Sequence, residues 1–193
     1  MKSVSVQKAA RVLNGLVWII LLCNLIALYL VPAAVMQNYT LLEGIETYLS
    51  GFFHPGQNDI VAAAGAAGFL AWFWVWRGTY TTMLALFLIV SGVCTAVILW
   101  QARRVLQTIL QGEPFSMQNA AALKRAAVCG FVISAAALVR VTFSAWSYHS
   151  LQPFLSYNAL FVPIFAMFGL LCLVMSALFR QAAEMKAEAD LTI

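Results

Sequence analysis

Four stretches of this chain share one pattern: predominantly apolar side chains with no acidic group, most of their ends marked by basic or aromatic residues. They occupy 12–31, 82–100, 126–146 and 154–179. Such runs are too long for strands and too uniformly apolar for one-sided surface helices. A helix needs about 20 apolar residues to cross a hydrocarbon core near 30 Å thick. The pattern therefore predicts an all-α membrane protein with four transmembrane helices. The first run exceeds the roughly 7–15 apolar residues of a secretory leader, and Pro32-Ala33-Ala34 makes a poor cleavage site. It is expected to stay in place as an anchor.

A fifth segment, 60–76 (IVAAAGAAGFLAWFWVW), is apolar but short. Counting basic residues decides how to treat it, because cytoplasmic loops hold the excess of Lys and Arg. If it does not cross, Lys2, Lys8, Arg11, Arg103, Arg104, Lys124, Arg125, Arg180 and Lys186 share the cytoplasmic side, against Arg77 and Arg140 outside. If it crosses, that asymmetry disappears. The expected topology has four spans with both termini cytoplasmic. Alternation of Trp72, Trp74 and Trp76 with Tyr80 beyond suits a helix lying at the outer interface, with a re-entrant hairpin as the alternative.

Composition sharpens this picture. Hydrophobic residues make up 63% of the 193 and charged residues 9%, against about a quarter charged in soluble domains. That excludes a water-soluble monomer and a disordered chain. The basic residues flank apolar runs and form no patch suited to direct nucleic-acid binding. Cys23, Cys94, Cys129 and Cys172 all lie within apolar runs, without a paired spacing, and are expected to be reduced and buried, behaving as small hydrophobes.

Residues 32–81 make the expected extracytoplasmic cap. Leu42, Ile45, Tyr48 and Leu49 have helical spacing, and His54-Pro55-Gly56-Gln57 marks a turn. The cap could sense a signal or shield helix ends. His54, His149, Glu43, Glu46 and Asp59 would share this compartment, but without any HxxxH or HExxH spacing, so no metal site is expected. Arg140 is the charge lying within a span, about six residues or roughly 9 Å from its outer end. Either it snorkels to the headgroups, or it pairs with Glu43, Glu46 or Asp59 and ties the cap to the bundle.

On the cytoplasmic side, 101–125 is expected to form a helical hairpin. The helical pattern continues past Trp100 to Gly112, a natural helix-terminating residue. Glu113-Pro114-Phe115 turns the chain, Ser116 caps the next helix, and Phe115 can staple onto Ala120. The tail, 180–193, holds Arg180/Glu184 and Lys186/Asp190 at i,i+4. Its end, Asp190-Leu191-Thr192-Ile193, could dock in a partner groove or fold back on the hairpin.

These last segments carry a resemblance. Gly112-Glu113-Pro114-Phe115-Ser116, Asn119, the Leu123-Lys124-Arg125 cluster and the terminal Ala187-Glu188-Ala189-Asp190-Leu191-Thr192-Ile193 resemble a bacterial family of four-span membrane proteins of unknown function. The likeness extends from the second span to the C-terminus. Members are often encoded beside a small Cro-like helix-turn-helix protein. The resemblance thus implies a protein of the bacterial inner membrane that holds or signals to a DNA-binding partner at the cytoplasmic face. Glu113, Pro114, Phe115, Asn119, Asp190, Leu191, Thr192 and Ile193 are the expected partner-binding residues. A homo-oligomer is compatible with this.

Two other function classes fit less well. A transporter or channel would place ionisable groups mid-membrane, where this chain offers Asn24, Asn158 and off-centre Arg140. A membrane enzyme would need a nucleophile or acid–base set, and neither GxSxG, HExxH nor a paired-carboxylate context occurs. No cofactor is expected.

Overall fold

In the computed structural model, residues 2–36, 72, 75–112 and 115–191 are described. They form four long helices: α1 (Lys2–Met36), α2 (Thr79–Leu110), α3 (Met117–Tyr148) and α4 (Phe161–Leu191). Each is long and apolar enough to cross a membrane, which implies a lipid bilayer as the surrounding medium. No strand occurs among the described residues. All of 37–71, and with it most of the expected cap including Glu43, Glu46, His54 and Asp59, lies outside them.

The chain divides into two compact units. The smaller holds residues 25–92. Here α1 runs through Pro32 to Met36 instead of ending at Val31. Proline removes one backbone donor, but its neighbours Val31 and Val35, one turn apart, are buried in a cluster with Val75 and Ala85. Burial on one helical face thus outweighs the local break, as neighbouring helices allow in membrane proteins. A short 3-10 turn, Val75–Arg77, leads into α2. Thr81 fastens the junction, donating from Oγ1 to the Val75 carbonyl (3.0 Å) or the Gly78 carbonyl (2.8 Å).

The larger unit holds α1 up to Asn24 and the chain from Val93 onward. Val17 of α1 meets Leu106 of α2 in a small apolar cluster. Beside it, the Arg103 guanidinium lies 4.4 Å from the Trp18 ring and 5.4 Å from Trp100. A cation over two indole faces is held by the negative face of each ring.

α3 is the most enclosed helix of the four. Small residues dominate its buried positions: Ala120, Ala127, Gly130, Ser134 and Ala137 recur in steps of three, four or seven, with Ile133 and Val141 the larger apolar exceptions. Lipid tails are as apolar as leucine, so burying large apolar groups gives little advantage in a bilayer. Small residues instead let backbones approach, and hydroxyls bond across the gap. That is how α3 meets α4. A Cβ placed on Gly130 would stand 3.3 Å from both the Gly169 nitrogen and the Phe165 carbonyl oxygen. Ser134 Oγ donates to the Val162 carbonyl (2.8 Å), and Ser176 Oγ donates to the Ala120 carbonyl (2.7 Å). These pairings run in opposite chain directions, so the two helices are antiparallel.

The link between them differs from expectation. The fourth apolar run begins at Phe154, yet α4 begins at Phe161. Two 3-10 turns, Gln152–Leu155 and Tyr157–Leu160, intervene. Serine hydroxyls offer the backbone local alternatives to an α-helix: Ser156 Oγ donates to the Pro153 carbonyl (2.6 Å), and Ser150 Oγ accepts from the Gln152 amide (3.2 Å). α3 itself ends at His149, in the left-handed region (φ 48°, ψ 37°), with Ser150 N–H reaching back to the Ala145 carbonyl.

Candidate functional site

The end of the larger unit where α2 hands over to α3 is built by local rules. α2 stops at Leu110, and Gly112 takes φ +86° while its amide donates to the Ile109 carbonyl. A side chain at that φ would crowd its own carbonyl, which explains the glycine. Ser116 is extended (φ −125°, ψ 149°) and its hydroxyl accepts from the Asn119 amide (3.3 Å), capping α3. The termination at Gly112 and the cap at Ser116 are therefore those read from the sequence.

The candidate partner-binding residues part company here. Phe115 is half exposed, with its ring 5.6 Å from Phe179 of α4. Asn119 is only 1% exposed. Its amide donates to Thr108 Oγ1 (2.6 Å), joining the two arms one turn from the bend. It acts as an internal strut between the two helices. Asp190 and Leu191 fall in the last turn of α4. Glu113, Pro114, Thr192 and Ile193 lie outside the described residues. Within the tail, Arg180 Nε and Glu184 Oε1 form the expected i,i+4 pair at 2.8 Å.

Arg140 is half-buried in α3, and its three candidate carboxylate partners fall outside the described residues. Among the described residues no group of three or more His, Cys, Asp or Glu could hold a metal ion. All four cysteines are free, but not buried as expected: Cys23 is exposed and Cys94, Cys129 and Cys172 are half-buried, since neighbouring helices cover their faces only in part.

Two cavities were not anticipated. The first is a polar cleft of about 530 Å³ between α2 and α3. Arg104, Gln107 and Thr108 line it from α2, Gln111 from just beyond that helix, and Gln118, Asn119 and Arg125 from α3. The signal was present: Arg104, Gln107 and Gln111 stand at i, i+3, i+7, and Gln118 and Arg125 at i, i+7, each a polar stripe on one helical face. What the sequence lacked was the pairing of the two stripes. The second is an apolar cavity of about 380 Å³, lined by all four helices, including Leu13, Val105, Ala126 and Phe168. Gln101 lines it as well, 6% exposed, with an Oε1 that has no hydrogen-bond partner.

No curated protein and no solved structure matches the chain. A family does, over residues 76–193, a stretch that takes in α2, the turn, α3 and α4 and so the whole polar cleft. With more than half its length matched, the chain belongs to the DUF2975 family, described as protein of unknown function.

Proposed function

We propose that the protein is a non-enzymatic regulator of the bacterial inner membrane that holds a small helix-turn-helix DNA-binding protein at its cytoplasmic face. The docking face is the α2–α3 turn together with the end of α4. Both termini and this turn are cytoplasmic in the proposal, and 32–81 lies outside, following the basic-residue asymmetry.

One observation supports the reading above the others. The turn is rigidly built, with a left-handed glycine at one end, a capping serine at the other and a buried Asn119–Thr108 bond beneath. Yet it presents Phe115, an aromatic anchor left half exposed beside the projecting end of α4. Exposed aromatics on preorganised scaffolds are what interfaces use as anchors. Regulation then follows from mass action. A DNA-binding protein held at the membrane is withdrawn from promoters in proportion to the protein's abundance and affinity.

The test is co-purification of the full-length protein from native membranes with a small helix-turn-helix protein. The proposal expects recovery of that protein, reduced by Phe115→Ala and lost on deletion of Asp190–Ile193. Failure to recover it from membranes that contain both proteins sinks the reading.

A further inference from the structure

We infer that the polar cleft between α2 and α3 is a receptor for a phosphate group, and that its occupant is the headgroup of an anionic phospholipid. This inference is independent of the docking face, since it rests on a different surface.

The cleft has the donor chemistry of an anion site. Arg104 and Arg125 supply guanidinium forks, Gln107, Gln111 and Gln118 supply amides, and no carboxylate lines it among the described residues. Neither arginine is ion-paired within those residues, whereas Arg180 is held by Glu184. Planar guanidinium groups bind phosphate oxygens two at a time, and two of them flanking one cleft suit a single phosphodiester. The volume of about 530 Å³ accommodates a headgroup as well as the phosphate.

Position selects a lipid over a soluble phosphate. The Thr108–Asn119 bond sets the register of the two arms. It places Arg104 near Arg125 on the membrane side, and Gln111 near Gln118 toward the turn. Arg104 follows Trp100 by four residues and sits next to Arg103, which stacks on Trp18 and Trp100. Arg125 directly precedes the apolar run that starts at Ala126. Both arginines therefore stand at headgroup depth, where basic pockets between transmembrane helices take anionic lipids. Below them, the same helical faces turn apolar and remain uncovered. Val128 and Val132 continue the Arg125 face at i+3 and i+7, and Trp100 and Val93 continue the Arg104 face at i−4 and i−11; all four are exposed. Acyl chains can lie along these stripes while the phosphate sits between the arginines.

Native mass spectrometry of the purified full-length protein tests this. The probes are dioleoyl phosphatidylglycerol, dioleoyl phosphatidylcholine and inorganic phosphate. The expected result is about tenfold to thirtyfold tighter binding of phosphatidylglycerol than of phosphatidylcholine, given two basic groups at headgroup depth. Arg104→Gln with Arg125→Gln should remove that preference, Arg104→Lys with Arg125→Lys should keep part of it, and Arg180→Gln should leave it intact. Retention of the preference in the double Gln variant, with its melting temperature unchanged, overturns the assignment. So does displacement of the lipid by millimolar inorganic phosphate, which would make the ligand a soluble anion. Equal binding of the two lipids, combined with loss of a co-purifying protein in the double Gln variant, would make the cleft a protein surface and equally overturn it.

Discussion

Gly130→Ala isolates what holds α3 to α4. The added Cβ would stand 2.9 Å from Phe168 Cδ1 and 3.3 Å from the Gly169 nitrogen and the Phe165 carbonyl oxygen. Phe168 can rotate away, but the other two atoms are backbone and move only if the helices separate. Overpacking of this kind costs about 1–3 kcal/mol. Separation would also stretch the flanking Ser134–Val162 and Ser176–Ala120 bonds, each worth about 0.6 kcal/mol in a membrane setting. Alanine returns up to about 1 kcal/mol of helix propensity, which blurs the single measurement. Gly15→Ala removes the ambiguity. A Cβ at Gly15 meets nothing within 4 Å, so that variant carries the propensity gain alone. The difference between the two variants should therefore be about 1–3 kcal/mol, with Gly130→Ala the less stable. Gly92→Ala should fall between them, since the three atoms nearest its Cβ, at 2.8–3.3 Å, all belong to the Leu28 side chain and not to backbone. Equilibrium unfolding in mixed micelles, followed by tryptophan fluorescence, gives all three values. Gly130→Ala within 0.5 kcal/mol of Gly15→Ala would refute the close-approach account, that margin being about the usual scatter of a neutral substitution.

Four further substitutions probe the turn and the cavities. Gly112→Ala should lose about 1–2 kcal/mol in the same assay, because its φ of +86° forces a side chain into the left-handed region. Asn119→Leu should lose about 1–3 kcal/mol by removing the strut that accompanies Thr108, whereas Gln118→Leu, on the exposed side of the same turn, should change stability by less than about 0.5 kcal/mol. Gln101→Leu should gain about 1 kcal/mol, since it replaces a buried amide oxygen without a partner in an otherwise apolar cavity; a loss of similar size would mean that the amide is satisfied.

The spans and the turn were legible in the sequence for different reasons. Apolar runs of bilayer length, one of them holding the lone charge of Arg140, identify four helices without any knowledge of contacts, and Gly112 and Ser116 mark a helix end and start through chemistry confined to a few neighbouring residues. Tertiary contacts decided the rest. Pro32 reads as a stop until Val31 and Val35 are seen buried on one face beyond it. Phe154 reads as the start of a span until Ser150 and Ser156 divert the backbone into 3-10 turns. Asn119 belongs to a polar turn motif, and only the position of Thr108 across the bend shows that it is internal. The cleft was the least legible feature. Its two polar stripes are visible separately, but a single residue of slippage between α2 and α3 would turn Arg104 and Arg125 away from one another.

The proposed docking face and the proposed lipid site both place the α2–α3 turn on one side of the membrane and the α3–α4 link on the other. Thiol labelling tests that arrangement most directly. In a variant with its four cysteines replaced by alanine, a single cysteine at Gln118 or at Leu151 reports one side each, both being exposed. A membrane-impermeant maleimide applied to spheroplasts should label the Leu151→Cys protein at once and the Gln118→Cys protein only after permeabilisation. Labelling of Gln118→Cys in intact spheroplasts, with Leu151→Cys protected, would contradict the account.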